Sequence, residues 1–128
     1  MFHRSRGFSL IELMLVVAIM AIIAAVAIPT LMSSRMGAQI QATRAILRTV
    51  TSGEQTYFAT QGVFTDFVTL EALEILDDRF SSNSITINAY TITISVTGTG
   101  SGFSATATPL MAGAPTFTVD ETYEIVES

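Results

Sequence analysis

The stretch GFSLIELMLVVAIMAIIAAVAIP, residues 7–29, decides the fold of this chain. From Phe8 to Pro29 it carries a single charge, Glu12, and it is otherwise almost wholly apolar. At 1.5 Å of rise per residue, a helix of this length reaches across most of the ~30 Å hydrocarbon core of a bilayer, so lipid is its natural first solvent. Leu10 to Ile28 is apolar on all sides, as a helix surrounded by lipid or by other helices should be. Ile19, Ile22, Ile23, Val26 and Ile28 are only moderate helix formers in water. In lipid the cost of unpaired backbone groups overrides that preference. Pro29 removes an amide donor and crowds the carbonyl of Ala25, which predicts a bend at the end of the run.

Just upstream lies the basic segment MFHRSRG. Arg4 and Arg6, placed directly before the apolar run, predict an N-terminus on the cytoplasmic side and a C-terminal part outside. A carboxylate inside such a segment costs about 3 kcal/mol on insertion scales. Intramembrane acids usually serve a function and have a partner, which makes Glu12 the leading candidate functional residue.

Gly7 followed by Phe8-Ser9-Leu10-Ile11-Glu12-Leu13, with Pro29 twenty-one residues beyond Phe8, resembles the type IV filament superfamily of type IV pilins and type II secretion pseudopilins. The resemblance is strong over residues 1–29 and looser, in shape, over the rest. The junction-like segment EQTYFATQGVF, residues 54–64, is similar to the place where stem meets head in many pilins. The resemblance implies that a prepilin peptidase cuts between Gly7 and Phe8 and methylates the new Phe8 amine. It also implies that Glu12 of an incoming subunit neutralises the Phe8 amine of a neighbour, offsetting the desolvation of both charges. The turns before Pro29 would loosen in an assembled fibre, although a plain proline kink accounts for that residue equally well.

The implied partners are further copies of the chain in a helical filament, the prepilin peptidase, an inner-membrane assembly platform, and membrane lipid before assembly. The implied location is the inner membrane as a single-pass protein, then a periplasmic or cell-surface filament. A pilus subunit would serve adhesion, twitching motility or DNA uptake, and a pseudopilin would drive protein export. Glu12 argues for a repeating subunit, because the tip-initiating minor pseudopilin characteristically lacks that acid. A different reading is an ordinary secretory signal, since Ala25-Val26-Ala27 fits the small-x-small cleavage pattern. Cleavage after Ala27 would release a secreted, acidic, β-rich binding module, but Glu12 would then interrupt the apolar core and the Gly7-Phe8 junction would go unexplained.

Composition narrows the chemistry. The 128 residues suffice for one small domain plus an anchor. With no cysteine, a disulfide-bounded loop is excluded and stability rests on packing. From Glu54 onward ten acids face one base, Arg79, and removal of residues 1–7 would take the formal charge from minus five to minus seven. Such an acidic region argues against a general nucleic-acid surface. Beyond Gly7 there is neither lysine nor histidine, so a freed Phe8 amine would be the only primary amine. No catalytic residues are assigned, and the subunit is not expected to be an enzyme or to hold a cofactor. Asp120, Glu121, Glu124 and Glu127 are similar in position to the calcium site of major pseudopilins, yet their spacing matches no motif and a solvated acidic end is the simpler reading. Arg44 and Arg48, one helical turn apart, read as a solvated face that meets acidic neighbours in a filament, not as a DNA site.

In order, the chain divides into a leader (1–7), a hydrophobic transmembrane or filament-core helix (8–29), an amphipathic continuation (30–60), a linker (61–84) and an antiparallel sheet with an acidic end (85–128). Met32, Met36, Ile40, Leu47, Val50 and Tyr57 supply the helical period of the continuation. Gly62 suits a left-handed cap, and a short helix is expected from about Leu70 to Leu76 with Thr69 as its cap. Tyr90, Ile92, Ile94 and Val96 alternate as a strand, with Asn88-Ala89 marking a turn or bulge before it. The fold class is α+β: a long N-terminal helix, half anchor and half amphipathic, packed on a small antiparallel sheet.

Overall fold

The computed structural model describes residues 6–128, so Arg4 and its predicted topological role lie outside the described residues. The chain forms a helix, α1 (Leu10–Gln61), followed by a short helix, α2 (Phe67–Ala72), a 3-10 turn (Asp78–Phe80) and five strands. The strands are β1 (Ser84–Ile87), β2 (Tyr90–Val96), β3 (Phe103–Pro109), β4 (Phe117–Asp120) and β5 (Ile125–Glu127). Two compact units meet within α1, one ending at Met36 and the other starting at Gly37.

Among the described residues of the first unit none is buried. Every residue from Arg6 to Arg35 is exposed, including Leu10, Ile11, Met20, Ile22 and Val26. Helical structure continues through Pro29, and the Thr30 hydroxyl donates to the Val26 carbonyl at 2.9 Å. A helix so long and apolar satisfies the length and composition required to cross a bilayer.

In the second unit a stripe at alternating three- and four-residue spacing faces inward: Ile40, Thr43, Leu47, Val50, Glu54 and Tyr57. Two members of that stripe, Thr43 and Glu54, are polar and fully buried. Gly53 is buried as well; a Cβ there would meet the Leu76 side chain at 3.1 Å, so glycine lets the segment after α2 sit close against the helix. Gly62, at φ +72°, ends α1 as expected of a left-handed cap, its amide donating to the Phe58 carbonyl at 2.8 Å.

The short helix starts earlier than the sequence pattern predicts. Asp66, not Thr69, is its cap: the Asp66 side chain accepts the Thr69 amide at 2.9 Å, and its backbone is extended. Phe67 and Leu70 then turn inward, and Leu73 is left exposed.

The sheet is an antiparallel meander in the order β1-β2-β3-β4-β5. Ile87 pairs with Tyr90, so Asn88 and Ala89 form a two-residue turn, both at positive φ, as the twist of a hairpin requires. Ile92, Ala107 and Phe117 lie side by side in register, as do Ile94, Ala105 and Val119, and all six are buried. Thr91, Thr93, Ser104, Thr106 and Thr108 occupy the opposite face, where β-branched polar residues suit solvent. Phe67, Phe80, Tyr90 and Phe117 are the largest apolar side chains fully buried, each worth about 1.5–3 kcal/mol of transfer free energy.

Candidate functional site

The start of α1 is built by Ser9. Its carbonyl accepts the Leu13 amide, the first bond of the helical ladder, and its hydroxyl accepts the Glu12 amide, both at 3.2 Å; the second bond satisfies one of the amides a helix leaves unpaired at its N-terminus. Ser9-Leu10-Ile11-Glu12 is thus the S-x-x-E pattern of a capping box, a local signal that the apolar run obscures in the sequence. It places Glu12 in the first turn, where the positive end of the helix favours a carboxylate.

Arg6, Gly7, Phe8 and Glu12 line one depression at this end of the chain. The expected cleavage junction and the expected assembly acid are therefore neighbours. The Glu12 carboxylate has no hydrogen bond or ion pair among the described residues. Phe8 is 80% exposed. Pro29 lies several turns away, within the same exposed helix. A bare acid beside a peptide bond that would yield an amine can form a charge-assisted hydrogen bond once that amine exists.

The other charged candidates are occupied differently. Arg44 bonds to Glu127 and lies over the Phe117 ring at 4.9 Å, so it clasps the C-terminal strand of its own unit. Arg48, one turn on, is exposed and lines a shallow groove with Thr49, Ser52 and Gly53. The two arginines therefore do not act as one solvated face, because β5 comes within reach of Arg44 alone. Asp120 accepts both the amide and the hydroxyl of Thr122, which hold its pKa below the usual carboxylate value. With Glu127 committed to Arg44, the C-terminal acids are used separately. Among the described residues no three metal-binding side chains gather.

One residue escaped the sequence reading. Glu54 is completely buried; its Oε2 accepts the Thr65 amide at 3.2 Å and its Oε1 has no partner. Burial pushes its pKa up to about 7, the Thr65 amide opposes that shift, and the Asp66 charge adds to it. Its place four residues after Val50 and three before Tyr57, in the buried stripe, was the signal that could have revealed it.

A family model described as the prokaryotic N-terminal methylation motif matches residues 2–28. Over 64 residues the chain is 36% identical to the type IV major pilin protein PilA of Myxococcus xanthus (strain DK1622). That match covers 50% of this chain and 29% of the Myxococcus protein, well under two thirds of the relative's own length. No solved structure matches. The two matches support the type IV pilin superfamily for this chain, in agreement with its long N-terminal helix and five-stranded antiparallel sheet.

Proposed function

We propose that this chain is a structural subunit of a type IV pilus-like filament. In this reading a prepilin peptidase cuts between Gly7 and Phe8 and methylates the Phe8 amine. The apolar part of α1 then holds the subunit in the membrane, N-terminus inside, until it joins the filament. The carrying observation is Glu12 beside Phe8, without an ion pair or hydrogen bond to its carboxylate among the described residues, on a helix exposed over its whole apolar length. In water such a surface is unstable, and in lipid Glu12 still lacks a cation. Packing against other copies removes both problems at once, because each neighbour brings an apolar helix and an amine.

Similarity to a major pilin favours a pilus over a secretion pseudopilus. Adhesion, twitching motility and DNA uptake are the activities this reading makes available. The subunit's own part is mechanical: it supplies a core helix and an outer surface and performs no reaction.

N-terminal sequencing and intact mass, on chain recovered from sheared fibres and from membranes, test the proposal. The expected product starts at methylated Phe8 and is abundant in long fibres. A mature chain starting at Ile28 would establish the secreted-module reading instead. Fibres absent from the sheared fraction, together with calcium-dependent stability of the sheet-bearing unit, would favour the secretion reading.

A further inference from the structure

We propose that Glu54 is a proton-operated latch between α1 and the segment that leads into α2: neutral, it is sealed inside the fold, and ionised, it admits water and loosens residues 62–66. The inference rests on the second unit alone and stands apart from the filament reading.

The geometry begins with an unmatched pair of oxygens. Oε2 holds the first amide beyond the Val63-Phe64 pair, that of Thr65, while Oε1 is buried with no donor. An ionised carboxylate in that position needs a second donor or a cation. Neither is at hand. From Thr49 to the C-terminus the only base is Arg79, and its guanidinium is bonded twice to Asp77.

Each surrounding element contributes acids instead. Asp66, at the cap of α2, is bonded to Thr69 and Asn83 and acts on Glu54 as a like charge. The segment packed on Gly53 through Ile75 and Leu76 carries Glu71, Glu74, Asp77 and Asp78. The β4–β5 turn places Glu121 against Gly102 and Tyr123 against Phe64. On α1 itself Arg48 is exposed to solvent and Tyr57 is half-buried. A proton is therefore the available neutraliser, which agrees with the raised pKa near 7.

The sign of the linkage follows. The folded pKa lies above the unfolded value, so the stabilisation by the bound proton is complete below about 4.5 and is lost as pH rises through about 7. Asp66, Asp77 and Asp120 have depressed values, so their contributions fall away only under stronger acid, below the ordinary carboxylate range. The window from pH 5 to pH 8 isolates Glu54 among these acids.

The test uses the full chain in non-ionic detergent micelles. Urea unfolding of the wild-type chain should show an unfolding constant that rises about 70-fold from pH 5 to pH 8, given values of 4.5 unfolded and about 7 folded. In Glu54→Gln that rise should largely vanish, because the amide cannot titrate and its NH2 supplies no charge. The Thr65 amide NMR shift in the wild-type chain reports the same event without a variant and should titrate near pH 7. A Thr65 amide that stays flat between pH 5 and pH 8, or a Glu54→Gln chain that keeps the wild-type pH dependence, would overturn the latch.

Discussion

Glu12 and Glu54 are both carboxylates without an ion pair among the described residues, and the two units of the molecule treat them in opposite ways. Glu12 stands on the part of α1 whose side chains are exposed, from Leu10 to Arg35, and in the filament reading its partner comes from a neighbouring subunit. Glu54 lies in a closed core, where one backbone amide is its side chain's only hydrogen bond among the described residues and a proton can make up the rest. The contrast sets an acid open to a partner, as the filament reading requires, against an acid closed in a core, where the proposed latch makes the second unit sensitive to pH. It also separates two failures that a simple loss-of-fibre phenotype would confuse, failed assembly and failed folding.

The strongest way to break the comparison is to remove the first acid. Glu12→Gln or Glu12→Ala should abolish fibres in the sheared fraction while leaving the thermal unfolding of the sheet-bearing unit unchanged in detergent. Equal fibre yield from either variant would mean that assembly does not need the carboxylate, and the external-partner account of the first unit would fall. The expected loss is all-or-none. A growing filament would have to bury an unneutralised amine at each added subunit, a penalty of several kcal/mol per ion.

The next largest effect sharpens the contrast from the folding side. Phe67 is fully buried and packs edge-on to Phe80 with ring centroids 5.1 Å apart. Phe67→Ala should lower the stability of the second unit by about 3–5 kcal/mol in urea unfolding, the cost of a large aromatic cavity. Ile19, 50% exposed on the first unit, should show a change within about 0.5 kcal/mol in the same assay when replaced by alanine. A comparable loss at both positions would show that the two units do not fold independently.

How much of this was legible before the fold was seen differs between the units for a physical reason. Hydrophobicity alone marks the first unit, because a run from Leu10 to Ile28 with one charge has few other homes, and Glu12 stands out against it. The strands were legible through their period, which Ile92 and Ile94 keep to the core face and Thr91 and Thr93 to solvent. What failed was polarity inside a helical stripe. Reading only apolar residues as buried passes over Thr43 and Glu54, although their spacing is the same as that of Leu47 and Val50. Cap choice failed for a related reason. Asp66 and Thr69 are both good caps, and only the tertiary demand to bury Phe67 and Leu70 together selects the earlier one.

The smallest predicted effect concerns how the second unit handles a charge it does pair. Arg44 and Glu127 bond across the end of the sheet, but both side chains are substantially exposed, at 35% and 51%. Solvent screening limits such a pair, so Glu127→Gln should cost no more than about 1 kcal/mol and should cost less in high salt. Arg44→Ala should cost more than Glu127→Gln, because it also removes the guanidinium plane lying over Phe117, worth about 0.5–1 kcal/mol at a partly exposed site. Urea unfolding at two salt concentrations separates the contributions: the salt-sensitive part belongs to the ion pair and the remainder to the stacking. If the two substitutions cost the same and both losses disappear in salt, Arg44 acts on β5 through charge alone. The distinction drawn from Glu12 and Glu54 would then extend to this third carboxylate, since a partner at the surface would contribute almost as little as having none.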